Sequence, residues 1–69
     1  MYYYLGYYEK IDNYTHVCII AQGTKADKEA LREVMYACDL YYSKRFYHVI
    51  EAQNKSEAMN QLSRISRED

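Results

Sequence analysis

A chain of 69 residues in which nine Lys and Arg oppose ten Asp and Glu makes one domain with a formal charge of −1. Such a small domain buries only about 60% of its unfolded surface, which leaves little room for an enclosed active site beside a core. The charge balance speaks against steering to nucleic acid, the 49% apolar content excludes a disordered tail, and no apolar run approaches the roughly 20 residues of a membrane helix.

The first element is aromatic. Residues 2–8, YYYLGYY, are β-prone and predict a first strand. The polar stretch 9–13 ends in Asp12-Asn13, a pair that tolerates turn geometry, and residues 14–21 hold the densest aliphatic run, so a β-hairpin is expected. Gln22-Gly23 ends that strand. Thr24 stands three residues before Asp27, a capping box with Asp in the usual Glu position. Ala26, Ala30, Leu31, Val34, Ala37, Cys38 and Tyr41 follow at helical spacing and predict a first helix from about residue 25 to 39, with an extension to Tyr42 as the alternative and Tyr41 on its inner edge.

Residues 46–52 read as a third strand. Asn54 precedes Glu57 by three, a second cap, and Ala58, Leu62 and Ile65 form the apolar stripe of a shorter helix whose last residues should fray. Glu57 lies early in it and Arg64 and Arg67 late, as the helix dipole favours. The order is therefore ββαβα, an α+β fold. The simplest packing is a two-layer sandwich, a three-stranded sheet with two helices on one face. β2-β1-β3 is the preferred strand order and β1-β2-β3 the alternative.

Strand side chains alternate between faces. Thr15, Val17, Ile19 and Ala21 would join the helix layer, together with Tyr3, Leu5 and Tyr7. On the third strand either Phe46, His48 and Ile50 or Tyr47, Val49 and Glu51 would do so, the first set being preferred. The opposite, uncovered face would then carry Tyr2, Tyr4, Tyr8, Tyr14, His16 and Tyr47, with a gap at Gly6. A tyrosine floor of that size marks an interface, since monomers rarely expose large apolar patches and Tyr is enriched at binding hot spots. The plainer alternative is that Tyr simply suits half-exposed strand positions.

The residues carry little chemistry. His16 and Cys18 lie two apart and His48 could join them from a neighbouring strand, but the spacing is not that of a zinc site, and strand packing accounts for them. No third group orients a Cys-His pair for catalysis. Glycine-rich phosphate loops are absent. No catalytic residue, cofactor or metal is therefore expected. Cys18 and Cys38 read as reduced thiols in a cytoplasmic protein, and the N-terminus lacks the basic and apolar regions of a secretory signal. An aromatic sheet can stack single-stranded bases, and Lys10, Lys44 and Arg45 would flank it, so nucleic-acid binding is the alternative function.

The strand-cap-helix junction His48-Val49-Ile50-Glu51-Ala52 and Asn54-Lys55-Ser56-Glu57-Ala58 resembles segments of small phage-encoded accessory proteins, including anti-CRISPR and other anti-defence inhibitors. The resemblance covers about a fifth of the chain and assigns no functional residue. It implies a protein that acts by binding a host protein. The expectation is a non-enzymatic protein-binding module that inhibits or modulates such a partner through the tyrosine face, or a homodimer joined by that face, with no membrane partner.

Overall fold

A computed structural model describes residues 1–69. Strand β1 (Tyr2–Ile11) and strand β2 (Tyr14–Gly23) form an antiparallel hairpin whose last pair is Ile11↔Tyr14. The two residues between them turn the chain. Asp12 has φ 52°, in the left-handed region that Asp tolerates better than most residues. The tight turn lets Glu9, Lys10 and Ile11 stay paired, so β1 runs three residues beyond the aromatic segment.

A single 3-10 turn (Lys25–Asp27) leads into helix α1 (Lys28–Tyr41). The Thr24 main-chain N–H and hydroxyl both donate to Asp27 Oδ2, at 2.8 and 3.0 Å, as the capping pattern foretold. Gly23 is needed for this turn, because a Cβ there would lie 2.6 Å from the Asp27 Cβ. Strand β3 (Arg45–Ala52) follows, then helix α2 (Lys55–Glu68). The Glu57 N–H donates to Asn54 Oδ1 at 2.8 Å, which caps α2 as expected. The C-terminal end is tied down rather than frayed: the Tyr8 hydroxyl donates to the Asp69 carboxylate, and Lys10 Nζ donates to the Asp69 main-chain oxygen at 3.1 Å.

The chain is an α+β domain of order ββαβα, and the sheet has the order β2-β1-β3. β3 pairs antiparallel with β1 from Tyr2↔Ala52 to Glu9↔Arg45. β1 is thus central, and α1 crosses between two edge strands that run parallel to each other.

The helices, however, lie on opposite faces of the sheet, so the domain has three layers and not two. Tyr4, Tyr8, Ile50 and Ala52 pack with Ala58 and Leu62 of α2. Their neighbours along the strands, Leu5, Tyr7 and Tyr47, pack with Leu31, Met35 and Cys38 of α1. Five consecutive residues of β1, Tyr4 to Tyr8, are buried, which requires cover on both faces. Two helices about 10 Å across, one on each side of a sheet, fit the 26 Å middle dimension of the domain.

Gly6 leaves no gap. A Cβ there would come 2.6 Å from Leu62 Cδ1 and 2.7 Å from the Cys18 carbonyl oxygen, so α2 sits directly on the β1 backbone. Opposite Gly6 the β1–β2 register shifts, and Ile20 is the extra residue of a β-bulge. Alternation is broken there: Val17 and Ile19 join the α2 side, whereas Cys18 and Ala21 join the α1 side. On β3 both candidate sets meet a helix, Ile50 under α2 and Tyr47 and Val49 under α1.

Candidate protein-binding surface

The uncovered tyrosine face does not exist. Tyr4 and Tyr8 are 2% exposed and Tyr47 is 7% exposed. Tyr2, Tyr4 and Tyr8 lie on the α2 side of the sheet; Tyr14, His16 and Tyr47 lie on the α1 side. Of the six, Tyr2, Tyr14 and His16 remain exposed; Tyr14 and His16 share the α1 side of β2, and Tyr2 lies on the opposite side of the sheet. Tyr2 meets Tyr4 edge-on, with ring centres 6.4 Å apart. The Tyr8 ring stacks between Phe46 at 5.0 Å and His48 at 5.8 Å. Burial and then the bond to Asp69 push its hydroxyl up to about 12.

Tyr47 belongs to an aromatic cluster at the far end of α1. Its ring centre is 5.1 Å from that of Tyr7 and 6.4 Å from that of Tyr42. The Arg45 guanidinium lies 4.5 Å from the centre of the Tyr7 ring and 4.3 Å from that of Tyr42. Arg45 Nη1 donates to the Tyr47 hydroxyl at 3.2 Å, and Nε donates to Glu9 Oε1 at 3.3 Å. These bonds, that to Tyr47 foremost, raise the Arg45 pKa further. Burial is the main cause that raises the hydroxyls of Tyr7 and Tyr47. Arg45 is therefore a structural cation, held by cation–π and hydrogen-bond contacts, and is not free for a phosphate.

His16 and Cys18 sit on the α1 side and His48 on the α2 side, so the three do not converge. No group of three His, Cys, Asp or Glu side chains is placed to hold a metal ion. The largest surface depression, about 450 Å³, is open and follows the polar side of α2 between Glu57 and Glu68. No helix is long and apolar enough to cross a membrane.

Half of the large exposed apolar side chains lie on α1 or at its C-terminal end. Val34, Tyr36, Leu40 and Tyr41 all face solvent, and Tyr42 at the helix end is half exposed. Leu40 is 88% exposed and Tyr41 84%. Of the apolar residues of this helix only Leu31, Met35 and Cys38 turn inward, so the broad predicted stripe is in fact a narrow inner one with an exposed flank, Ala30, Val34, Ala37 and Tyr41, beside it. Tyr41 is not on the inner edge. Tyr36 and Leu40 are four residues apart and adjacent on the outer face. Glu29 and Glu33 share that face, and Glu29 meets Arg32 at 3.6 Å, an exposed pair of little energetic weight. Sequence reasoning missed Tyr36 and Leu40; the available signal was that the apolar positions of residues 30–41 cover far more than one helix face.

No family model, curated protein or solved structure matches the chain.

Proposed function

We propose that this chain is a small non-enzymatic protein-binding module that inhibits or modulates a host protein through the outer face of α1. The observation that carries this reading is the apolar pair Tyr36 and Leu40, with Tyr41 beside it, left in solvent on a helix whose inner face is already satisfied. A helix presents such residues to a partner as rigid anchors, and Tyr with its amphipathic ring is favoured at hot spots. The acidic residues Glu29, Glu33 and Asp39 around the patch suit a partner with a basic rim. The likeness of the β3–α2 junction to segments of phage-encoded anti-defence inhibitors supports a host defence protein as the kind of partner. The nucleic-acid alternative has thinner support: base stacking needs an open aromatic face, and Tyr4, Tyr8 and Tyr47 are packed under helices.

The test is quantitative capture from host extract by the native chain and by a Tyr36→Ser, Leu40→Lys variant. A partner retained by the first and weakened about tenfold or more by the second is the expected result, since hot-spot truncation costs 2 kcal/mol or more. Equal recovery of that partner by both would overturn the reading. Oligonucleotide binding that survives the same substitutions and falls steeply with salt would point to the alternative.

A further inference from the structure

β2 is an edge strand of ten residues. One row of its backbone groups pairs with β1, and no strand lies beside the other row. Exposed edges of this kind template pairing with another chain, and folded proteins blunt them with charge, proline, short length or bulges. From Tyr14 to Thr24 the chain has neither a charged residue nor a proline. The other edge, β3, carries Arg45 and Glu51. The one blunting device on β2 is the bulge at Ile20, and it leaves Tyr14–Ile19 as about 20 Å of regular edge.

The space above this edge is also open. α2 packs evenly across all three strands, whereas α1 packs mainly on β3 and β1. A right-handed β2–α1–β3 crossover turns the Arg32 side of α1 toward β3. Ala30, Val34, Ala37 and Tyr41 lie on the opposite flank, about 180° away around the helix, and look out over β2. Tyr14 and His16 stand uncovered below them.

We propose that β2 pairs antiparallel with the β2 of a second copy, joining two three-stranded sheets into one of six strands. An uncharged edge is self-complementary, because bringing it against itself opposes no like charges. Two-fold symmetry fixes more. The axis must stand normal to the sheet to reverse the strand and still carry it to the far side, so both α1 helices lie on one face and both α2 helices on the other. Opposed residues must then share a face, and the axis passes through a residue and not between two. Centring on Val17 sets it against its own copy, Thr15 against Ile19 and His16 against Cys18. The first two pairings join β-branched residues, which favour each other across strands. The contact uses neither Tyr36 nor Leu40, so it stands apart from the host-protein reading.

Sedimentation equilibrium and amide hydrogen exchange from low to high micromolar concentration test the pairing. The native chain is expected to reach twice its 8.3 kDa mass, and alternate amides of Tyr14–Ile19 should gain protection as concentration rises. Thr15→Lys with His16→Lys, both at exposed positions, should weaken the dimer about tenfold or more, because charged side chains on an edge strand oppose pairing and would here be set against Ile19 and Cys18 of the second copy, while Leu40→Lys leaves it intact. A native chain that stays monomeric, or a dimer that Leu40→Lys dissolves and the lysine pair leaves unchanged, overturns the proposal. Should the lysine pair unfold the monomer, exchange on the native chain decides: protection at Tyr14–Ile19 independent of concentration counts against pairing.

Discussion

Two helices of 14 residues cover the two faces of one small sheet, and they cover them differently. α2 buries Ala58, Leu62 and Ser66, lies across all three strands and rests on bare backbone at Gly6. α1 buries Leu31 alone, leans toward β3 and leaves a row of apolar side chains in solvent. The contrast separates two kinds of apolar residue in the same chain. Those facing α2 stabilise the fold through close packing, and those on the outside of α1 contribute little to it and are available for contact with something else.

The contrast can be broken most directly at its tightest point. Gly6→Ala places a methyl group against the Cys18 carbonyl oxygen, which cannot move aside, and should cost about 3 kcal/mol, most of the stability such a domain has. Leu62→Ala, which empties a site with no exposure, should cost about 3–4 kcal/mol, whereas Leu31→Ala under the looser helix should cost about 2. Urea unfolding measures all three, and a Leu31→Ala loss equal to that of Leu62→Ala would erase the distinction between the faces.

A smaller effect lies at Tyr8. Tyr8→Phe removes the bond to Asp69 and should cost about 1 kcal/mol at neutral pH. Its hydroxyl stays protonated to about pH 12 when folded, against about 10 in the unfolded chain. The stability it supplies is therefore complete below about pH 10 and is lost as pH rises through about 12. The urea midpoint of the native chain should fall across that window, and that of Tyr8→Phe should fall less. It should still decline, because burial raises Tyr3, Tyr7 and Tyr47 in the same direction. Smallest of all, Leu40→Lys and Tyr41→Ser should shift the unfolding free energy by no more than about 0.5 kcal/mol in either direction. A loss near 2 kcal/mol would place these residues in the fold and remove them from the candidate surface.

Much of the chain's organisation could be read from local signals. Thr24 with Asp27, and Asn54 with Glu57, marked both helix starts because capping acts over three residues. Asp12-Asn13 marked the hairpin, and a helical crossover between two parallel strands was compatible with the preferred strand order, which is the one observed. The faces could not be read, because that requires polar residues to alternate with apolar ones. Residues 2–8 contain none that is plainly polar, and Tyr fits either side. An unbroken apolar strand signals cover on both faces, which is the feature that a two-layer reading overlooks. The bulge was hidden for a similar reason: Ile19 and Ile20 are both apolar, so nothing in the pattern reveals the slip of register. Of the six residues expected at the interface, Tyr4 and Tyr8 are buried because α2 lies where open solvent was expected, and Tyr47 is buried because it shares the α1 side with Tyr7.

The central position of β1 bears on how the chain reaches this state. The strand with the most complete burial is the earliest in the sequence, yet its second neighbour, β3, begins at Arg45. During synthesis Tyr2–Ile11 can zip with β2 as soon as the hairpin has emerged, but its other edge waits for α1 and for β3 itself. Until then the nascent hairpin shows two adhesive edges and two bare aromatic faces, a state prone to self-association and slow to resolve because the missing contacts are distant along the chain. The late-arriving α2, closing over Gly6, would be the step that commits the molecule to its folded form.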